Sequence, residues 1–196
     1  MTEYHWYDEV PPERPLCQGD VIEECPVAVF DDQIQEQTGQ DQLVEELRAA
    51  VAVEKVRAVV MTQQCDLEYK RVRNVILCPI YHLAEYRERW EEFQRERGQN
   101  PTENNWNKWL KEVKDGKVWN LAMLNRRDTG DQGALTLPPQ IVDFHEIFSL
   151  PVDFLTSWAR ASELRRLQLQ PPYREHLSQA FARFFMRVGL PQEIEL

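Results

Sequence analysis

The chain has 196 residues, 42% of them hydrophobic, which suits one substantial core and a single domain, residues 1–196, carrying an insertion. Its 33 acidic against 23 basic residues give a formal charge of -10, which argues against a general phosphate-neutralising surface for DNA or RNA but leaves room for a local basic patch. No stretch reaches the roughly 18 apolar residues of a membrane span, and the opening MTEYHWYDEV lacks the basic and apolar regions of a signal peptide, so a cytoplasmic protein with no membrane association is expected.

The first fifteen residues hold Pro11, Pro12 and Pro15 and read as an extended lead-in anchored on the body by Tyr4, Trp6 and Tyr7. Gln18-Gly19-Asp20 opens a first strand, over about 18–30, in which Glu23 and Glu24 interrupt the apolar run and Pro26 calls for an edge position or a bulge. A polar, Gln-rich loop follows, then Leu43, Val44, Leu47, Ala50 and Val51 recur at helical spacing. Two β-branched runs, Val56 to Thr62 and Val72 to Ile80, read as neighbouring strands joined by a charged connection. Alternation places Val59, Met61, Ile76 and Cys78 in the interior.

After Ile80 the spacing of Leu83, Tyr86, Trp90 and Phe93 predicts a helix ended by Gly98, and Trp106, Trp109, Leu110 and Val113 predict a second one, capped by Thr102. Residues 82–115 thus read as a helical hairpin inserted between strands. Strand character resumes over 117–124, and IVDFHEIF, from Ile141 to Phe148, alternates as one half-buried strand with Asp143, His145 and Ser149 on one face. Pro151 opens a helix containing Phe154, Leu155 and Trp158, and Tyr173 to Val188 forms a last amphipathic helix ending at Gly189.

The four cysteines, Cys17, Cys25, Cys65 and Cys78, show no C-x-x-C pair and are expected as free thiols, with Cys78 a small core residue. Thr62-Gln63-Gln64-Cys65-Asp66 lies at a strand end, where a rigid backbone presents accessible polar side chains. Gln63, Gln64, Cys65, Asp66, His82 and His145 are the candidate binding residues. Cys65, Asp66, His82 and His145 include good zinc ligands, but no two of them form a compact ligand pair, so neither a metal nor a cofactor is expected. Asp66 is expected to cap a turn by accepting a backbone N–H. Trp106 and Trp109 read as core. Arg165, Arg166, Arg174, Arg183 and Arg187 form a regional basic excess that fits either an acidic partner or RNA, or a solvated helix face offset by Glu163 and Glu175.

Gly19-Asp20 before a strand, then Val56-Arg57-Ala58-Val59-Val60-Met61-Thr62, then Val75-Ile76-Leu77-Cys78-Pro79-Ile80, resembles the start of the MazF/PemK-like toxins. The resemblance covers about a third of the chain. It implies an α+β fold built on a small, partly open SH3-like β-barrel of five or so strands, with the helical hairpin inserted and further helices packed at the C-terminus. It also implies mRNA endoribonuclease ancestry and an antitoxin-like peptide partner. Arg57 falls on the family's catalytic arginine and Tyr81 on its catalytic threonine, while Ala58 replaces the proline that follows the arginine. Thr62-Gln63-Gln64-Cys65-Asp66 and Arg187-Val188-Gly189-Leu190-Pro191 resemble, in addition, motifs of uncharacterised bacterial defence-associated proteins.

With the threonine changed and the surface acidic, the reading that follows is a non-catalytic or weakly catalytic module that serves as a protein-binding adaptor or regulator in bacterial defence or stress. An active endoribonuclease toxin is the alternative, with RNA disfavoured by charge, and a metal-dependent hydrolase at Cys65-Asp66 is a second one.

Overall fold

The computed structural model describes residues 5–30, 51–128, 134–161 and 165–186. The helix expected over 43–51 therefore lies outside the described residues except for Val51, as does the closing Arg187-Val188-Gly189-Leu190-Pro191. The chain is α+β, with eight antiparallel strands in one open sheet and five helices among the described residues. In chain order these are β1 (Tyr7–Val10), β2 (Asp20–Phe30), β3 (Val51–Val60), α1 (Gln64–Glu68), β4 (Asn74–His82), α2 (Leu83–Glu96), α3 (Glu103–Lys114), β5 (Leu121–Leu124), β6 (Gln140–Asp143), β7 (Phe148–Pro151), α4 (Val152–Ala161), β8 (Arg166–Leu169) and α5 (Tyr173–Phe185). No helix among the described residues is long and apolar enough to cross a membrane.

The sheet runs β1-β8-β2-β3-β4-β6-β5, with β7 also paired to β4. Its two end strands share no ladder, yet side chains bridge the gap. The Tyr7 hydroxyl donates to the Asn125 carbonyl at 2.8 Å, and the Glu9 carboxylate accepts from the Leu135 N–H at 2.9 Å. Eight strands replace the five or so expected because β1 and β8, four residues each, pair where the sequence suggested a lead-in and a helical region, and because the strand expected from Ile141 is two, β6 and β7. Of the expected anchors of the lead-in, Tyr4 lies outside the described residues, while Trp6 and Tyr7 hold it. Trp6 stacks on Tyr173 at 3.8 Å between centroids, and Tyr7 is buried.

Pro26 does sit beside a bulge: the β2–β3 register shifts between Ile22 and Cys25, and Glu24 there takes a φ of 50°. Beyond this bulge β2 and β3 continue as a two-stranded ribbon out to Phe30 and Val51, paired to no further strand among the described residues. The expected helix had hidden the residues from Val51 to Lys55 as strand, although Val51 and Val53 alternate with Ala52 and Glu54.

Both faces of the sheet are covered, so β3 and β4 bury successive side chains. Val59, Met61, Cys78 and Ile80 join Leu124, Val142, Phe144 and Leu169 under Leu177 of α5. Ala58, Val60, Val75 and Leu77 pack with Leu155 and Ala159 of α4 on the other face. Ile76 departs from the expected interior set. It shares the face of Cys78 but is 40% exposed, and it packs in neither of these clusters. The helical hairpin matches the expected 82–115, held by Val113 on Leu121 and Ile141 and by the ring contacts of Trp90, Trp106 and Trp109. Thr102 caps α3 by accepting from the Asn105 N–H.

The expected single strand from Ile141 to Phe148 is instead two. β6 pairs with β4 at Ile80–His82 and β7 with Asn74–Leu77, and the residues between them leave the ladder. Ile141, Val142, Asp143 and Phe144 are buried in succession and His145, Glu146 and Ile147 are then exposed, so the alternation of the sequence does not survive the break.

At the start of β2, Asp20 and Arg166 form a buried ion pair. The Asp20 carboxylate accepts from Arg166 Nε at 3.3 Å and from the Cys17 N–H at 3.0 Å, while the Arg166 guanidinium also donates to the carbonyls of Pro12 and Arg14. Burial pushes the Asp20 carboxyl up to about 6 against the opposing pull of Arg166. A carboxyl raised in this way from 3.8 favours the fold most below the lower value, and its contribution is lost as pH rises through about 6. The native protein is thus expected to gain on the order of 3 kcal/mol between about pH 6 and 4 relative to Asp20→Asn. Urea midpoints across that window measure it, and a constant difference between the two proteins would refute it. In the core, Val59→Asp places an unpaired charge where exposure is 0% and is expected to cost several kcal/mol, enough to abolish the cooperative thermal transition seen by circular dichroism.

Candidate functional site

Four adjacent strands bring one polar cluster together. Glu23 stands at the β2 bulge, Arg57 on β3, His82 at the end of β4 and Gln140 at the start of β6. Arg57 Nε donates to Glu23 Oε1 at 2.6 Å, and Nη1 lies 2.9 Å from His82 Nε2 and 3.2 Å from Gln140 Oε1. A guanidinium only donates, so His82 Nε2 accepts in this contact. Gln140 Nε2 approaches the other ring nitrogen at 3.0 Å and also donates to the Pro138 carbonyl. An imidazole with one lone pair can accept from only one of these two donors, so the Arg57 and Gln140 contacts compete for His82. Chemically, the cluster holds a cation already matched by a carboxylate, its fork turned toward protein groups.

Tyr81 is not part of it. Successive side chains of a strand face opposite ways, and Tyr81 turns toward α2. There its hydroxyl donates to Glu146, and the Arg89 guanidinium sits 4.0 Å over its ring and 3.1 Å from the same carboxylate. Burial, with Glu146 adding to it, pushes the Tyr81 hydroxyl well above the usual tyrosine range. The structure therefore separates Arg57 and Tyr81 into two environments.

Arg89 and Glu146, the two residues that hold Tyr81, line a cleft of about 470 Å³ between the helical hairpin and the sheet. Tyr86, Trp90, Phe93 and Trp109 form its aromatic wall, and Asp143, His145 and Glu146 its polar side. The Tyr86 hydroxyl donates to Asp143 Oδ2 at 3.0 Å, the His145 N–H donates to Asp143 Oδ1 at 3.0 Å, and the imidazole of His145 lies edge-on to Phe184. Burial and the Asp143 charge raise the Tyr86 hydroxyl too. His145 thus belongs to this cleft and His82 to the Arg57 cluster.

The Thr62–Asp66 segment is a third location. Thr62 Oγ1 accepts from the Ile76 N–H at 2.7 Å, Gln64 Oε1 accepts from the Gln18 N–H at 3.1 Å, and Gln63 precedes the short helix α1. Asp66 does not cap a turn. It lies in the first turn of α1, 3.9 Å from Arg71, because the chain coils immediately after β3. Cys65 is exposed, its thiol near Gln63 and Asp66, whereas Cys25 and Cys78 are pushed up to about 12 by burial. No group of three or more His, Cys, Asp or Glu among the described residues is placed to hold a metal.

Three of the five arginines of the basic excess near the C-terminus are held in ion pairs, and Arg187 lies outside the described residues. Arg166 is buried on Asp20, Arg165 pairs with Glu9, and Arg174 with Glu175. Residues missed by the sequence reading are Gln140, Arg89 and Glu146. Glu23 carried a signal, since a carboxylate inside an otherwise apolar strand needs a cation. Comparison with protein-family models, curated proteins and solved structures yields no significant match to this chain.

Arg57→Ala leaves Glu23 and His82 without their shared partner and is expected to cost about 1–3 kcal/mol in denaturant unfolding. Adding Glu23→Ala to it should then cost much less than Glu23→Ala alone, because the two act in one network. Strictly additive losses would show that the ion pair carries no coupling.

Proposed function

We propose that this chain is a non-catalytic binding module on a divergent MazF/PemK-like fold, an adaptor or regulator that engages a protein partner in bacterial defence or stress. The observation that carries the non-catalytic part is the confinement of Arg57. A phosphate-stabilising arginine needs its fork free for the developing charge, and here Glu23 holds Nε at 2.6 Å while His82 and Gln140 occupy Nη1. The tyrosine at the family's threonine position points elsewhere, bound to Glu146 under Arg89.

The protein-binding part rests on the cleft beneath the helical hairpin. Aromatic residues enclosed by a charged rim suit the anchoring side chain of a partner segment, and Phe93 at its mouth is 47% exposed. The cleft holds about 470 Å³, room for one such anchor.

Freshly purified protein is expected to leave single-stranded RNA uncut even at low salt, where electrostatic binding is strongest. Native pull-down with mass spectrometry should recover a protein partner that a Phe93→Asp variant fails to retain. Sequence-specific cutting by the native protein, lost in a folded Arg57→Ala variant, would replace this reading with an endoribonuclease.

A further inference from the structure

On the side of the sheet covered by α4, the loop residues Lys70, Val72 and Arg73 and one face of α4, from Val152 to Arg160, wall a second cleft of about 970 Å³. Leu16, Leu67 and Val152 supply its apolar surface, and Lys70, Arg73 and Arg160 line it with positive charge. The side chains of these three cations make no hydrogen bond or ion pair with any described residue, in contrast to Arg57, Arg87, Arg127 and Arg166, each matched to a carboxylate. Asp153 is the one acidic residue on the wall, and its carboxylate is likewise unpaired.

In a chain of formal charge -10, three unmatched cations converging on one concavity form a local field opposite in sign to that of the whole molecule. Walls of low polarizability strengthen such a field at the cleft. Arg73 and Arg160 can each present a planar fork to phosphate oxygens, and Lys70 a point charge. The Thr156 hydroxyl supplies a further donor and Asp153 an acceptor for a ligand hydroxyl or amine.

We propose that this cleft binds a small phosphorylated ligand of nucleotide size, its phosphates held by Lys70, Arg73 and Arg160 and its organic body seated on Leu16, Leu67 and Val152. The volume exceeds what a bare phosphate needs and suits a small-molecule site. A long polyanion is disfavoured, because beyond three cations it would meet the acidic surface of the rest of the chain.

The test titrates the full-length protein at low ionic strength with ATP, GTP, CTP and UTP, with adenosine and a single-stranded oligonucleotide as comparisons, followed by calorimetry. Saturable binding of at least one triphosphate is expected, with adenosine at least tenfold weaker. Arg73→Gln and Arg160→Gln should each weaken that binding roughly tenfold, the loss of one charge-assisted contact. Both residues are exposed, and circular dichroism checks that the variants keep the native fold. Failure of all four triphosphates to bind, or binding unchanged in both variants, would overturn the proposal. Tighter binding of the oligonucleotide through the same residues would overturn it in favour of a strand.

Discussion

The architecture depends on a charge pair that water cannot reach. Asp20 and Arg166 lie 146 positions apart, and each is almost completely enclosed. The arginine carries its other donors to Pro12 and Arg14, so one side chain ties the lead-in to the body while Asp20 holds the Cys17 N–H. Removing either partner from such a pair strands a charge and typically costs about 3–5 kcal/mol. Removing both and refilling the space with apolar groups can cost little, so the pair's value lies in specifying which segments meet. Gly19 beside it sharpens that specification. Its φ of +83° strains any other residue, a Cβ there would sit 3.0 Å from that of Leu169, and its backbone bonds to both Val60 and Leu169. The order β8-β2-β3 is set at this one point.

From there the sheet distributes chemistry by strand parity. His82 and Tyr81 are neighbours in β4, yet one completes the Arg57 cluster and the other turns to Glu146 and Arg89 beside the hairpin. The break between β6 and β7 then delivers Asp143, His145 and Glu146 to the mouth of that cleft, which a continuous strand would have divided between two faces. A small irregularity in a ladder thus gathers three polar side chains that a regular one would scatter.

Much of the fold was legible where a pattern was long. The helical hairpin carried two full apolar stripes and clear end signals, and β3 and β4 carried β-branched runs. β1 and β8 were not legible, because four-residue strands such as YDEV and RLQL have too few positions for alternation to register, and their pairing is decided by tertiary contacts. Arg166 looked like surface charge for the same reason: nothing local announces that Asp20 awaits it. In the candidate site, Arg57 and His82 were visible one at a time, but their meeting, and the role of Gln140, follows from the register of four strands. Asp66 was read as a cap because short polar residues usually are, and the helical turn of α1 overrode that preference.

The ribbon formed by β2 and β3 beyond the bulge has a different stability from everything it is attached to. Residues 51–55 are exposed on both faces, and the ribbon contributes few side chains to either large cluster. Its ladder can therefore open and close while Val59, Val60 and their partners stay in place, so its amides belong to a low-energy foldon and those of central β4 to the slowest-exchanging one. The exposed Glu24–Lys55 ion pair and Pro26 beside it are features of the kind that discourage edge pairing with a second chain. The β2–β3 pair thus joins hydrogen bonds anchored in the core at Val21 and Val59 to readily opened ones beyond the bulge.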